Sequence, residues 1–220
     1  MALMTMHPDN LRRRSLLVLG TAAVLPLVVG CDRGGSGGAG GPAADAAKFN
    51  NIDISGAEYA RDFTLTDHHG QPRRMADFKG KLVAIFFGYT QCPDVCPTSM
   101  AELAEVKKAL GADGDKLQGL FITVDPERDT PELLKAYMSG FDPSFLALRG
   151  TPEQTAAVAK EFKVFFAKVP GKAADSYTMD HTAGVYVFDT AGRIRLFARH
   201  GGGPAALAAD MKQLLQAPTA

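Results

Sequence analysis

The sequence predicts an α/β fold, a central mixed sheet flanked by helices, on three observations. Lys81 to Tyr89 is an unbroken apolar run of strand length, rich in Val, Ile and Phe, as expected of a strand covered on both faces. Behind it, stretches of helical spacing alternate with β-rich stretches, the pattern of an α/β sheet domain. Two more strand-like runs, joined by the turn Asp189-Thr190-Ala191-Gly192, then lead into a last helix.

Taken in order, Asp62-Phe63-Thr64-Leu65-Thr66 alternates and is expected as a strand, with a turn from Asp67 to Gly70. Lys81 to Tyr89 is the buried strand. Met100, Leu103, Val106 and Leu110 carry the spacing of a helix. Leu117 to Val124 is a second β-rich run, ending at Asp125-Pro126. Pro131 to Met138 is expected as a helix, with Thr130 or Asp129 as cap and proline in its first turn. Phe145 to Leu148 is a short strand. Thr151-Pro152-Glu153-Gln154 is a capping-box start for a helix to about Phe162. Val164 to Val169, Gly184 to Phe188 and Ile194 to Ala198 are expected strands, and Pro204 to Leu215 is the closing helix. The order β–α–β–α, then β–β–α, is that of a thioredoxin-like fold, here with an inserted β-hairpin.

The chain has 220 residues, and the first 31 read as an export signal. Arg12-Arg13-Arg14 is basic, and Leu16 to Gly30 is apolar or small, too short for a comfortable membrane span. Val28-Val29-Gly30-Cys31 matches the lipobox of bacterial lipoproteins and predicts cleavage before Cys31 with lipidation of its thiol. An uncleaved anchor helix and a signal cut elsewhere are the competing readings. The arginines before Ser15-Leu16-Leu17 hint at twin-arginine export. Each reading places the folded body outside the cytoplasm. Residues 32–49 are Gly- and Ala-rich and read as a flexible tether; residues 50–217 are one domain's worth of chain. Formal charge is zero, or about −2 once the signal's three arginines and Asp9 are removed. No basic stripe points to nucleic acid, and no internal repeat is visible.

The chemistry sits in Gly88-Tyr89-Thr90-Gln91-Cys92-Pro93-Asp94-Val95-Cys96-Pro97, directly after the apolar run. Of three cysteines in the chain, two are here. Pro97 suits the first position of a helix, so Cys92 is expected in the loop and Cys96 at the cap. Free N–H groups and partial positive charge at a helix start favour thiolate, which implies a pair activated by its position. A structural disulfide closing so short a loop would constrain the unfolded chain little. A thiol–disulfide oxidoreductase more often has two intervening residues, and this pair has three. A peroxidase of the peroxiredoxin kind places Thr or Ser three residues before its cysteine, where this chain has Pro93, and Pro seven before, where it has Tyr89.

A metal site needs a third ligand. His7 lies in the signal, His68-His69 in a turn beside Gly70, and His200 before Gly201-Gly202-Gly203. His181 lies in Tyr177-Thr178-Met179-Asp180-His181-Thr182-Ala183-Gly184, just before a strand. In a thioredoxin-like fold the loop entering that strand faces the thiol pair. Thiol enzymes of that fold carry a cis-proline there, and this chain has none. Two thiolates and one imidazole suit Cu(I) or Zn(II); structural zinc would want a fourth ligand, and three soft ligands suit copper that is given up again. Met179 and Met100 could add thioether character, although core packing is the stronger reading. Asp180 either orients a neighbour or caps the strand, and Asp94 either meets a partner or stays solvated.

Three motifs carry a resemblance: Gly-Tyr-Thr-x-Cys-Pro-Asp-Val-Cys-Pro at 88–97, Val-Asp-Pro-Glu-Arg-Asp-Thr-Pro-Glu at 124–132 and Asp-His-Thr-Ala-Gly-Val-Tyr-Val-Phe-Asp at 180–189. In that order they resemble the Sco/SenC family, over nearly the whole body. The resemblance implies a membrane-tethered, thioredoxin-fold copper-binding protein that helps metallate the CuA or related centre of cytochrome c oxidase. The resemblance thus implies a metallochaperone rather than an enzyme, with periplasmic thiol reduction of the oxidase cysteines as the alternative. Cys92, Cys96 and His181 match the family's copper ligands, and the cysteines its redox-active disulfide. The stretch 124–132 reads as structural: strand end, turn and helix cap. Implied partners are the copper-bearing oxidase subunit and other periplasmic copper carriers or thiol reductases. Many members have an uncleaved anchor helix, whereas Cys31 points to a lipid anchor at the periplasmic face of a bacterial inner membrane.

Overall fold

A computed structural model describes residues 48–173 and 176–217. The signal segment, Cys31 and all but the end of the tether lie outside the described residues. The first strands are β1 (Ile52–Asp53), β2 (Leu65–Asp67), β3 (Pro72–Arg73), β4 (Leu82–Gly88) and β5 (Leu117–Thr123). β6 (Leu146–Arg149), β7 (Phe166–Pro170), β8 (Tyr177–His181), β9 (Gly184–Phe188) and β10 (Ile194–Arg199) follow. The helices are α1 (Val95–Ala109), α2 (Pro131–Met138), α3 (Pro152–Glu161) and α4 (Pro204–Gln216).

Eight strands form one mixed sheet in the order β1-β10-β9-β4-β5-β6-β2-β3. β4 pairs in parallel with β5 and antiparallel with β9, and both β4 and β5 are buried at every position, which is why neither alternates in sequence. Helix α1 packs on α4, β4 and β5, and α2 on β6. The largest fully buried side chains include Phe86, Phe87, Phe121, Phe162 and Phe188; Phe87, Phe162 and Tyr186 meet edge-on or tilted at 5.3–6.3 Å, in the spacing aromatic rings favour. This is the thioredoxin-like architecture that the element order predicts. The remaining two strands, β7 and β8, pair only with each other, as a separate antiparallel sheet.

Helix α2 has the expected bounds, and its cap Thr130 accepts from Leu133 N–H at 3.3 Å. The box before α3 is complete: Thr151 accepts from Gln154 N–H, and the Gln154 side chain accepts from Thr151 N–H. Three expectations shift. The strand expected from Asp62 begins only at Leu65, because the Asp62 carboxylate takes the N–H groups of Phe63 and Met75 in place of a ladder. Helix α1 starts at Val95 with Asp94 as N-cap, so Cys96 and Pro97 are both inside the first turn. Proline is tolerated there because the first four helical N–H groups have no intrahelical partner anyway. The segment 177–181, expected as a loop, is β8. The short edge strands β1 and β3 had no expectation.

Candidate metal centre

The sheet delivers the cysteines. β4 ends at Gly88, and the chain turns through 89–94 into α1. Cys96 is fully buried and Cys92 half-buried; both are free thiols. The backbone N–H of Cys96 donates to Cys92 Sγ at 3.5 Å. Gly88 is required by this geometry: a Cβ there would stand 2.9 Å from Cys96 Sγ and 2.8 Å from Phe86 Cε1. The loop is held by Asp129, whose buried carboxylate accepts from Thr90 N–H, from Thr90 Oγ1–H at 2.6 Å and from Thr123 Oγ1–H. Burial raises the Asp129 carboxyl above its ordinary range, against these three donors.

The hairpin delivers the imidazole. His181 is the last residue of β8, opposite Phe166 of β7, and its ring lies edge-on between Phe86 and Tyr89 at 5.9 and 6.0 Å. Nδ1 lies 3.1 Å from the Thr182 carbonyl. A carbonyl can only accept, so the ring proton is on Nδ1 and the Nε2 lone pair is free. That lone pair points at Cys96 Sγ, 3.4 Å away. Burial lowers the His181 pKa, with the Thr182 bond and the Asp180 charge opposing it, so the ring is neutral near pH 7.

All three donor atoms lie within 4.8 Å of one another. Bonds of about 2.0–2.3 Å to N and S, as zinc makes them, would place trigonal donors roughly 3.7 Å apart, so the set closes on one soft ion with a shift on the order of 1 Å. The charge state differs from expectation. Burial drives the Cys96 thiol well above its ordinary pKa, helped by the neighbouring Cys92 and Asp129 and opposed by the Tyr89 N–H. Desolvation outweighs the helix start and favours the protonated thiol at Cys96, so an ion would have to displace its proton.

The other expected residues scatter. Met100 is fully buried and Met179 nearly so, both in the apolar core, in line with the packing reading. Asp94 is exposed and caps α1 through its backbone, accepting from Thr98 N–H. Asp180 is exposed beside His181. His68 is half-buried, its Nδ1 accepting from Ala147 N–H, with the His69 ring tilted against it at 4.1 Å. His200 pairs with Ser99 at 3.1 Å. What the sequence reading missed is how far the segment 124–132 reaches: Asp125, Arg128 and Asp129 contact both the cysteine loop and β8. The only signal was the density of charge between two prolines.

The SCO1/SenC family model matches residues 53–216. The SCO2-like protein of Rickettsia felis is 39% identical over 145 residues, 66% of this chain and 68% of that one. The mitochondrial SCO2 homolog of Mus musculus is 40% identical over 133 residues, covering 60% of this chain, which spans only 52% of the mouse protein. The structure of ScoI from Bradyrhizobium japonicum with copper bound is 47% identical, with a TM-score of 0.64, covering 70% of this chain and 97% of that one.

Proposed function

The chain belongs to the SCO1/SenC family, and on that premise we propose that it is a copper metallochaperone serving the copper-bearing subunit of cytochrome c oxidase. The observation that carries the reading is the convergence of Cys92, Cys96 and His181 within 4.8 Å, a donor set of the softness that copper prefers. The copper-bound Bradyrhizobium relative supports it.

Each residue has a separable part. The Thr182 carbonyl fixes the imidazole tautomer, so Nε2 is ready to bind without a proton shift. Cys96 releases its proton when the ion arrives. Cys92, the half-buried sulfur, is the one an incoming donor thiol can reach. A thiol oxidant taking two electrons and two protons from the pair would join the sulfurs in a disulfide and remove both as donors, so the redox state of the pair gates loading. Residues 32–49 act as the tether from a lipidated Cys31 at the periplasmic face of the inner membrane. Among the described residues no helix is long and apolar enough to cross a membrane.

The alternative is a thiol reductase that keeps the oxidase cysteines reduced, with Cys92 as the accessible attacking sulfur. The imidazole nitrogen facing the Cys96 sulfur favours ion binding. His181→Ala separates the two: copper retention is lost while disulfide reduction changes modestly. Copper affinity untouched by His181→Ala would remove the three-donor site.

A further inference from the structure

The hairpin that carries His181 shares no ladder with the main sheet, yet its imidazole must meet sulfurs that α1 and β4 hold in place. Resting on the copper reading above, we propose that Arg128 is the positioning residue that clamps this hairpin against the cysteine loop. It thereby decides whether the imidazole stays within reach of an ion held by the two sulfurs.

The guanidinium touches every piece that must stay in register. Nε donates to Asp125. Nη1 donates to the Tyr177 carbonyl on β8 at 2.9 Å and to Gln91 Oε1, beside Cys92, at 3.1 Å. Its plane lies 3.6 Å from the Tyr177 ring centre and 5.7 Å from that of Tyr89. Asp125 completes the grip from below: one oxygen takes Arg128, and the other accepts from the Tyr177 hydroxyl at 2.9 Å. One residue on, Asp129 holds Thr90. A single turn therefore reaches the thiol loop with one carboxylate and the histidine strand with the other.

The other attachments are local, exposed or single. The bonds between Phe165 and Thr182 join the two ends of the hairpin to each other. Lys168–Glu127 is about half exposed on both sides, and such pairs contribute little. Met179 adds apolar burial, which has no direction, and its backbone N–H makes one bond to the Tyr89 hydroxyl. Arg128 is also an expensive clamp: among the described residues its Nη2 is buried without a hydrogen-bond partner, a burden that fold stability alone would select against.

The test uses the full chain, reduced, as wild type, Arg128→Lys and Tyr177→Leu. Lysine keeps a positive charge beside Asp125 but loses the fork and the flat stacking face; leucine removes the ring and its hydroxyl while keeping the carbonyl. Two readouts are taken. Without metal, amide hydrogen exchange in 166–170 and 177–181 should accelerate in both variants while β4 and β5 are unchanged. With copper, release should quicken roughly 10- to 100-fold, the usual effect of displacing a ligand's support, and the nitrogen coupling of Cu(II)-loaded protein should weaken. Folded variants with wild-type hairpin exchange and wild-type nitrogen coupling would overturn the clamp and leave the copper reading intact. A wild type that takes up no copper would overturn the copper reading, and faster hairpin exchange in the variants would still be seen.

Discussion

Gly88→Ala is the sharpest probe of the centre, because it adds one methyl group and removes nothing. The Gly88 backbone is compatible with alanine: its φ is outside the left-handed region, so the perturbation is steric alone. The added Cβ would meet Phe86 Cε1 at 2.8 Å, and Cys96 Sγ and Phe121 Cε2 at 2.9 Å. Ordinary carbon–carbon contacts lie near ~3.5–4.0 Å, so three neighbours must each retreat by about 1 Å. All three are buried, and overpacking of this kind costs about 1–3 kcal/mol. For a domain of this size that lowers Tm by roughly 2–12 °C. The sulfur is one of those that must move, so copper affinity should fall with stability, by about tenfold or more if the displacement costs ~1.4 kcal/mol of binding. Differential scanning calorimetry of the metal-free protein and competition with a copper chelator measure the two effects. A variant with wild-type Tm and wild-type copper affinity would refute the close approach of Cys96 to β4 on which the site is built.

Two further outcomes are expected. The metal-free protein should be most stable between about pH 6.5 and 8.5. His181 and His68 are held down chiefly by burial, so below their unfolded values the unfolded chain binds more protons and stability falls with pH. Cys96 is held up by burial, so above its unfolded value the unfolded chain binds fewer protons and stability falls as pH rises. Urea midpoints across pH 5–7 should slope less in His181→Gln than in wild type, with His68 supplying the remainder; equal slopes would contradict the burial argument. Asp210→Ala should lower Tm by several degrees without touching copper affinity. The fully buried Asp210 carboxylate accepts four bonds from Asn50 and Asn51 at 2.8–2.9 Å, and it contacts none of the three donors; a matching loss of copper affinity would show that the entry of the chain and the centre are coupled.

Much of this was legible in the sequence where one physical rule dominated. The continuous apolar run could only be a strand covered on both faces, and β4 is one. Thr130-Pro131 and Thr151-Pro152-Glu153-Gln154 carry their own start signals, and both helices begin there. β8 was passed over although its burial alternates, with Tyr177, Met179 and His181 turned inward and Thr178 and Asp180 exposed: of the five only Met179 is purely apolar, too weak an alternation to mark a strand in sequence. The start of α1 was misread because proline was taken as the first helical residue, when any of the first turn's unpaired N–H positions would accept it. The state of Cys96 was misread for a related reason. The helix start is visible in sequence, whereas the burial that outweighs it depends on Phe86, Phe121 and Gly88 arriving from other strands. The reach of 124–132 was equally invisible, since nothing local shows that Asp125 and Arg128 find Tyr177 about fifty residues away.

A nitrogen borne on an independent two-stranded arm and two sulfurs built into the frame make an unequal tripod. Swinging the arm outward severs no rung between β4 and its neighbours, so on the copper reading proposed above an ion held by all three donors would drop from three legs to two without melting any part of the sheet. Unloading would then proceed stepwise, with a recipient's donor taking the vacated leg before either sulfur lets go.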